Sequence, residues 1–406
     1  MEILEKIQKN APKINGYKQV NYFIEEKVHI EEIKEFRVCG VTVLHDDNDY
    51  KAYNIEIHTN KEYKAACNVS LYGENDDELV EMLCNGQKYS EDTNFIIPGD
   101  KVFGVKMSIK DAFKYKVDLT GIVRKPVLKT LSSYCVFEDD KKTIDFLTSL
   151  KGKDKFREDI ESRYMSIPDI LQAYNIRIPP GDLIQILDKI KPRMYTISSN
   201  PESSPTMHFA IQIIKHGKFI GHFSTFAEQL YKTQQGYLHG EIKPSAFSFQ
   251  PELPILMIGN GCGVAPFRGL LGCLALNPSP LSILICGFRT KNHFIYREDF
   301  EKSLKNPQNP LLEHGYILND REYTGNCLDY MFVGYSREGP KVYVQDIISI
   351  HKNLVWNVLV NGIVYICGGN TMGKSVMMLL QGITKEFAGE EMWKDVMKRI
   401  KMEVWG

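Results

Sequence analysis

The segment Ile255-Leu-Met-Ile-Gly259-Asn-Gly261-Cys-Gly263-Val-Ala-Pro266-Phe-Arg268 decides the fold of the second half of the chain. Its apolar start predicts a buried strand, its glycines predict a tight turn, and Pro266 predicts the first turn of a helix. Such a turn lets the backbone approach a diphosphate, and the helix N-terminus directs its amides at the negative charge. The glycine spacing departs from G-x-G-x-x-G, so a turn without a ligand remains the alternative.

The sequence around this segment predicts a parallel α/β domain. From Pro251 onward, apolar strands alternate with helical patterns, and the predicted strands are 255–258, 281–286, 316–318 and 364–367. Strands that alternate with helices are typical of a parallel sheet covered by helices.

The first half of the chain has a different pattern. Residues 38–73 alternate between apolar and polar in short runs, which predicts antiparallel strands of a barrel wall. Residues 76–190 show apolar spacings of three and four, which predict a mostly helical block. Strand patterns resume at Arg193 and continue at 207–214 and 218–223. The sequence therefore predicts a β-barrel interrupted by helices and followed by an α/β domain.

The composition excludes several classes of function. The 406 residues include 50 Lys plus Arg and 51 Asp plus Glu, so we expect no basic face and no nucleic-acid binding. No apolar run is long enough to span a bilayer, and the first twenty residues lack a signal or transit pattern, so a cytoplasmic location is expected. The nine cysteines lack C-x-x-C spacing and the histidines are scattered, which predicts reduced thiols and no metal.

The segment Arg193-Met-Tyr195-Thr196-Ile-Ser198-Ser carries three groups that suit a bulky anionic cofactor. The Arg193 guanidinium can pair with a diphosphate, the Tyr195 ring can stack on a flat heterocycle, and the Thr196 hydroxyl can bond a ring nitrogen. Strand alternation places Thr196 on the face opposite Arg193 and Tyr195. An edge strand with a surface arginine remains the alternative.

Two further segments carry polar groups at predicted turns. In Gly221-His222-Phe223-Ser224-Thr225, a strand ends and a helix begins, with Ser224 or Thr225 as the predicted N-cap and the backbone as a diphosphate cradle. An ordinary capped helix is the alternative there.

The segment Ser336-Arg337-Glu-Gly-Pro-Lys341-Val-Tyr343-Val-Gln345 could surround a phosphomonoester, the group that distinguishes NADP from NAD. A solvated loop that leads into a strand is the alternative for this segment. Near the C-terminus, Cys367 could simply be a small core residue, and Trp405 a packing anchor or part of a frayed end.

In this order, the segments resemble the FAD- and NADPH-binding half of the diflavin reductase family, from roughly residue 41 to the end. The resemblance implies an α/β plus β-barrel fold, the ferredoxin:NADP reductase-like module. Its implied parts are an N-terminal extension at 1–40, an FAD-binding antiparallel barrel at 41–95 and 191–250, a helical connecting insertion at 96–190, and an NADPH-binding parallel α/β domain at 251–406.

The resemblance also implies the site residues. Those that match the FAD site are Arg193, Tyr195, Thr196, Ser198, Gly221, His222, Phe223 and Ser224. Those that match the NADPH site are Gly259, Gly261, Cys262, Gly263, Arg289, Ser336, Arg337, Lys341, Tyr343 and Gln345. Those that match the group around the nicotinamide and the flavin ring are Thr196, Cys367, Glu403 and Trp405, with Trp405 covering the flavin.

The implied activity is that of an NADPH-dependent flavoprotein reductase. Hydride passes from NADPH to FAD, and single electrons then pass to a separate FMN protein, a haem protein or another carrier. Only about forty residues precede the barrel, whereas the family's FMN domain needs about 150, so we expect an FMN-containing or other electron-carrier protein in trans. The alternatives are a diaphorase that acts on small oxidants and a degenerate module that binds nucleotide or partner without turnover. The sequence carries no signal for an oligomeric state.

The sequence departs from the family pattern in four places. Cys262 stands where relatives usually have Thr, and Gly369 stands where an acidic residue is usual. Ala66-Cys-Asn68 replaces a Gly-Asp pair, and Glu403 replaces Asp.

Overall fold

The computed structural model describes residues 16–23, 36–48, 50–217, 219–305 and 327–405. The described residues divide into two compact units. The first unit comprises those within Met1–Lys34, Tyr72–Arg193 and Ile213–Thr233, and the second those within Glu35–Leu71, Met194–Gln212 and Gln234–Gly406. The four-part division expected from the family resemblance remains a prediction.

The strands, numbered in chain order, are β1 Asn21–Phe23, β2 Phe36–Asp46, β3 Lys51–His58, β4 Asn68–Tyr72, β5 Asn94–Ile96, β6 Met107–Ser108, β7 Arg193–Thr196, β8 Met207–Ile213, β9 Lys215–His216, β10 Phe219–Ile220, β11 Tyr237–Lys243, β12 Ile255–Asn260, β13 Ser282–Phe288, β14 Tyr330–Tyr335, β15 Ile363–Gly369 and β16 Ile400–Trp405.

The α-helices are α1 Asp77–Gln87, α2 Ile109–Tyr115, α3 Lys125–Leu131, α4 Glu138–Thr148, α5 Lys153–Phe156, α6 Ile167–Ala173, α7 Pro180–Ile186, α8 His222–Thr233, α9 Ala265–Leu276, α10 Arg297–Lys302, α11 Val344–Ile350, α12 Lys352–Asn361, α13 Asn370–Ala388 and α14 Trp393–Lys398. Short 3₁₀ turns lie at Ser132–Tyr134, Gly261–Val264 and Lys291–His293, and a π-helical turn at Arg157–Glu161.

The first unit is mostly helical, as predicted for residues 76–190. Its core is built from the apolar faces of α1 to α7, with fully buried side chains such as Phe113, Ile144 and Ile160. A small sheet of order β1-β5-β6 also belongs to this unit. The hydrophobic pattern did not predict that sheet, because strands of two or three residues are too short to show a period.

A six-stranded sheet of order β7-β4-β11-β2-β3-β8 lies mainly in the second unit. β2 pairs antiparallel with β3 and with β11, which confirms the antiparallel strands predicted for residues 38–73. The register between β2 and β3 shifts twice, and the second shift lies between Val43 and His45. Such bulges re-aim the side chains that follow them.

A parallel sheet of order β14-β13-β12-β15-β16 forms the rest of the second unit. In β12, Ile255 and Met257 pack with Phe267 of α9, whereas Leu256 and Ile258 pack on the other face with α11 to α13. Because strand side chains alternate between faces, the continuous apolar run reflects burial on both sides. The predicted parallel α/β domain is confirmed.

Several local predictions need correction. The predicted strand 218–223 is shorter, since β10 ends at Ile220 and α8 already begins at His222. Ser224 and Thr225 therefore lie inside the helix and are not its N-cap. The Ser224 hydroxyl instead accepts a hydrogen bond from the Ile214 amide, at 2.9 Å.

The other corrections concern the C-terminal half. The predicted strand 316–318 lies outside the described residues, and β14 was not predicted. The segment 336–345 leads into helix α11 and not into a strand, so that alternative for its structure is wrong. Trp405 belongs to β16, which pairs with β15 in parallel. Within the described ranges, no helix combines the length and apolar character needed to span a bilayer.

Candidate functional site: a cavity at the strand reversal and a fixed carboxylate

The glycine turn after β12 has the structure that the sequence predicts. A 3₁₀ turn at Gly261–Val264 follows the strand, and α9 has Pro266 in its first turn. Gly261 has a φ of 53° and faces open space, whereas a Cβ at Gly263 would lie 2.3 Å from the Cys367 carbonyl oxygen. Gly263 therefore permits close packing of the turn on β15. Gly261 gives the turn its left-handed residue and leaves room for a ligand.

A cavity of about 450 Å³ opens at the carboxyl ends of the parallel strands, within the second unit. The strand order reverses at β12, and ligands of open α/β sheets bind at such a reversal. The volume lies within the range of small-molecule sites. The lining residues that the sequence predicted are Gly261, Cys262, Arg289, Ser336, Tyr343, Gln345 and Trp405; those that it missed include Tyr50, Asn260, His293, Gly369, Thr371 and Met372.

Two backbone hydrogen bonds align the polar wall of this cavity. The Ser336 amide donates to the Phe288 carbonyl at 2.9 Å, and the Arg337 amide donates to the Arg289 carbonyl at 2.7 Å. These bonds continue the pairing of β13 with β14 and bring Ser336 beside Arg289. The amide oxygen of Gln345 is buried and has no hydrogen-bond partner among the described residues. An unpaired buried acceptor in a roomy cavity fits a ligand that donates a hydrogen bond.

Four predicted nucleotide residues do not line this cavity. Gly259 and Gly263 are buried within the turn, where each permits close packing. Lys341 is exposed, with its ammonium 5.1 Å from the centre of the Tyr343 ring. Arg337 lies beside the cavity wall through the backbone bond to Arg289.

The parallel pairing of β15 with β16 sets Cys367 opposite Glu403 and Gly369 opposite Trp405. Three donors hold the Glu403 carboxylate. The Ser245 hydroxyl donates to Oε1 at 2.7 Å and the Ala246 amide donates to the same oxygen at 2.8 Å. The Asn68 amide group lies 3.2 Å from both carboxylate oxygens. The carboxylate is therefore fixed in position by groups from two distant parts of the chain.

Cys367 is fully buried, and its thiol hydrogen-bonds to the Thr196 side chain. Burial raises the pKa of Cys367 well above its ordinary value, and the negative charge of Glu403 raises it further. The thiol is therefore protonated at neutral pH, which suits a positioning group and not a nucleophile. The structure thus brings Thr196, Cys367 and Glu403 together, as the resemblance implied.

Cys262 contacts a residue that the sequence did not single out. The Tyr50 hydroxyl lies 3.3 Å from the Cys262 sulfur, and the Arg289 guanidinium carbon lies 5.4 Å from the centre of the Tyr50 ring. Burial raises the pKa of Cys262 to about 11 and also raises the pKa of Tyr50. Both side chains therefore stay neutral, and Arg289 supplies positive charge on this side of the cavity.

The predicted flavin residues of the second unit have mixed environments. Tyr195 is half-buried and stacks on Phe209 with ring centres 5.3 Å apart. Ser198 is buried, and its hydroxyl lies 3.2 Å from the Tyr296 hydroxyl while its carbonyl accepts from Arg268 at 3.1 Å. The side chain of Ser198 is thus already engaged within the protein.

The remaining predicted flavin residues belong to the first unit. Arg193 is exposed, and Phe223 is buried with its ring edge-on to Phe226. Burial lowers the pKa of His222, and the positive charge of Arg193 lowers it further. The Nε2 atom of His222 is buried without a hydrogen-bond partner among the described residues, and Gly221 directly precedes this helix.

Comparisons with known proteins agree with this geometry. Residues 47–222 match the model of the FAD binding domain family. Over 94% of its length the chain is 25% identical to the NADPH–cytochrome P450 reductase of Dictyostelium discoideum, covering 57% of that protein. It is 28% identical to the NADPH–cytochrome P450 reductase of Drosophila melanogaster, over 80% of this chain and 50% of that protein.

A third relative has a different name. The NADPH-dependent diflavin oxidoreductase 1 of Arabidopsis thaliana is 25% identical over 75% of this chain and 49% of that protein. The chain therefore spans about half the length of the curated relatives that it matches. The FAD-domain match, the two sheets and the cavity at the strand reversal agree, and the chain is similar to the FAD- and NADPH-binding half of diflavin reductases.

Proposed function

We propose that the chain is an NADPH-dependent flavoprotein reductase that takes hydride from NADPH onto FAD. It then passes electrons singly to a separate FMN protein, a haem protein or another carrier. The observation that carries the proposal is the cavity at the strand reversal, where Gly261, Arg289, Gln345 and Trp405 all face one space. The relatives' names, NADPH–cytochrome P450 reductase and NADPH-dependent diflavin oxidoreductase, supply the nucleotide and the class of acceptor.

The nucleotide is proposed to lie across the glycine turn. Its diphosphate would meet the amides at the start of α9, where the helix dipole favours negative charge. Arg289 would pair with phosphate oxygens, and the Gln345 amide oxygen would accept a hydrogen bond from the base. Arg337 and Lys341 would pair with the 2′-phosphate. They are the cations nearest in sequence to the cavity-lining Ser336 and Tyr343.

The flavin residues are proposed from the family match and the sequence motifs together. Arg193 and the segment 221–224 would hold the FAD diphosphate, and the Tyr195 ring would stack on the isoalloxazine. Bound FAD supplies the chemistry of accepting a hydride and releasing electrons one at a time.

The residues near the reacting atoms are proposed to position the nicotinamide and the flavin and not to act as nucleophiles. Glu403, held by three donors, would present a fixed negative charge to the nicotinamide ring. Cys367 would pack against the ring as a neutral thiol, oriented by Thr196. Trp405 is 47% exposed at the edge of the cavity, so it can cover the flavin and move aside when nicotinamide enters.

We further propose a cytoplasmic location and a carrier protein in trans as the acceptor. The acceptor is proposed only as a class, an electron-carrier protein, because acceptor choice depends on surface complementarity and not on the fold.

Steady-state turnover tests the proposal. The purified chain, loaded with FAD, is expected to reduce ferricyanide with NADPH and far more slowly with NADH. Without added FAD, the activity of flavin-stripped protein should be lost and should return when FAD is restored.

The Arg289→Lys variant tests the role of the arginine, because lysine keeps the positive charge but lacks the planar fork of donors. We expect a raised KM for NADPH with unchanged FAD content. Tight NADPH binding without any NADPH oxidation would instead support the degenerate binding module, and activity that is independent of FAD would contradict the proposal.

A further inference from the structure

Three side chains beside the nucleotide cavity converge on one point that no step of the proposed reaction uses. They are His45 of β2, Asp47 just after it, and His293 of the 3₁₀ turn at Lys291–His293. One potential ligand atom from each residue lies within 4.8 Å of the other two. The Asp47 Oδ2 atom is 2.8 Å from His45 Nε2 and 3.3 Å from His293 Nε2.

His45 directs its second ring nitrogen at the Asp47 carboxylate. His45 Nδ1 lies 2.8 Å from the Asn292 carbonyl oxygen. A carbonyl oxygen only accepts, so Nδ1 carries a hydrogen and Nε2 is the nitrogen left to bind a cation. Nε2 faces a carboxylate oxygen, which only accepts. A proton or a metal ion between these two atoms satisfies both of them.

His293 is also held through its Nδ1 atom, but by a hydroxyl, which can donate or accept and so does not fix the tautomer of the ring. Its Nδ1 lies 2.8 Å from the Thr290 hydroxyl oxygen, so the ring is held from behind. Its Nε2 is buried and has no hydrogen-bond partner among the described residues, and His293 as a whole is only 8% exposed. Metal-binding histidines nearly always bond a protein oxygen through the nitrogen that does not bind the metal. Both histidines meet that condition.

The carboxylate is also held in place. The Asp47 Oδ1 atom accepts a hydrogen bond from the Tyr50 amide at 2.7 Å, and the Asp47 amide donates to the Tyr50 carbonyl at 3.0 Å. This turn directs Oδ2 toward the histidines. The Asp47 side chain is 39% exposed, whereas the two histidine side chains are 9% and 10% exposed. One side of the cluster is therefore open to solvent.

We propose that His45, Asp47 and His293 bind one divalent transition-metal ion, with Zn²⁺ as the best-matched ion. Two imidazoles and one carboxylate are ligands that Zn²⁺ accepts, and three protein ligands leave a fourth position open for water. Ligands about 2.0–2.2 Å from a tetrahedral ion stand roughly 3.3 Å apart. The His293 contact already has that spacing, and the His45 contact must open by about half an ångström.

The site goes beyond the proposed reductase function, which needs no metal. The proposal differs from the expectation of no metal that was drawn from the sequence, and His293 is far from His45 and Asp47 in the chain. No local spacing could have revealed the set.

Metal binding by the full chain loaded with FAD tests the site. The protein carries Cys39→Ser, which removes the exposed thiol, and is stripped with a chelator before Zn²⁺ is added in competition with a chromophoric chelator. We expect one Zn²⁺ per chain. X-ray absorption should show two imidazoles and no sulfur.

Asp47→Asn keeps the shape of the side chain and should weaken Zn²⁺ binding by at least about tenfold. The matched control is Asp46→Asn, whose carboxylate lies 3.3 Å from Lys51 and should not affect Zn²⁺. His293→Gln is the second variant, and circular dichroism checks that each variant is folded. Three results would each overturn the proposal. They are the absence of Zn²⁺ binding, wild-type affinity for Zn²⁺ in folded Asp47→Asn and His293→Gln, and sulfur ligands in the X-ray absorption spectrum.

Discussion

Replacement of Ser245 by Ala tests whether the position of Glu403 matters for hydride transfer. The Ser245 hydroxyl donates to Glu403 Oε1 at 2.7 Å, and the Ala246 amide and Asn68 remain as donors after the change. A hydrogen bond to a charged group contributes about 1.5–3 kcal/mol. Because Glu403 is half-buried and two donors remain, we take the lower end, about 1.5 kcal/mol, which corresponds to roughly a tenfold lower rate.

Anaerobic stopped-flow with FAD-loaded protein measures this step as the loss of oxidised-flavin absorbance after mixing with NADPH. We expect the rate to fall roughly tenfold in Ser245→Ala while the Kd for NADPH changes little. Ser245→Thr keeps the hydroxyl and should recover most of the rate. Ser248→Ala is the matched control, since the Ser248 hydroxyl accepts a 3.4 Å hydrogen bond from Gln250 at the surface.

Two results would refute this reasoning. One is a Ser245→Ala protein that transfers hydride at the wild-type rate. The other is an equal loss in Ser245→Thr and Ser245→Ala, because a role that does not need the hydroxyl is a packing role and not a positioning one.

Three further predictions concern stability and specificity. Ala66→Gly should raise the free energy of unfolding by about 0.5–1 kcal/mol, because Ala66 has a φ of 61° that favours glycine; a lower urea midpoint would contradict this. Arg337→Ala with Lys341→Ala should raise the KM for NADPH roughly tenfold or more and leave that for NADH nearly unchanged; equal changes would exclude a role in 2′-phosphate binding. Burial lowers the pKa of Lys189 to about 8. The unfolded chain, in which this pKa is about 10.4, therefore binds more protons than the folded chain between these two pH values. The free energy of unfolding of the wild-type protein rises with pH in that range. Lys189→Met should therefore raise the free energy of unfolding most below pH 8. Equal increases at pH 7 and pH 10, measured by urea unfolding, would contradict this prediction.

The sequence predicted the elements whose structure is determined by residues that are neighbours in the chain. The turn at Gly259–Gly263 could be predicted because the strand, the glycines and Pro266 are contiguous and each restricts the backbone in its own way. The prediction of an N-cap at Ser224 was wrong. A serine before an apolar run resembles an N-cap, but the Ser224 hydroxyl accepts a hydrogen bond from the Ile214 amide instead.

Contacts between distant segments could not be predicted in the same way. Glu403 receives its donors from Asn68 and Ser245, which no pattern in one sequence connects to it. Tyr50 and His293 line the cavity at the strand reversal from a strand connection and a short turn, and neither position has a motif. Family resemblance supplied Cys367, Glu403 and Trp405, whereas their supporting residues required the structure.

A single turnover between NADPH and the bound flavin tests the proposed hydride transfer itself. FAD-loaded protein is mixed anaerobically with excess NADPH, and the flavin absorbance is followed without any acceptor present. We expect rapid bleaching with NADPH, much slower bleaching with NADH, and return of the oxidised spectrum when ferricyanide is added. A chain that binds FAD and NADPH but leaves the flavin oxidised would contradict the proposed function.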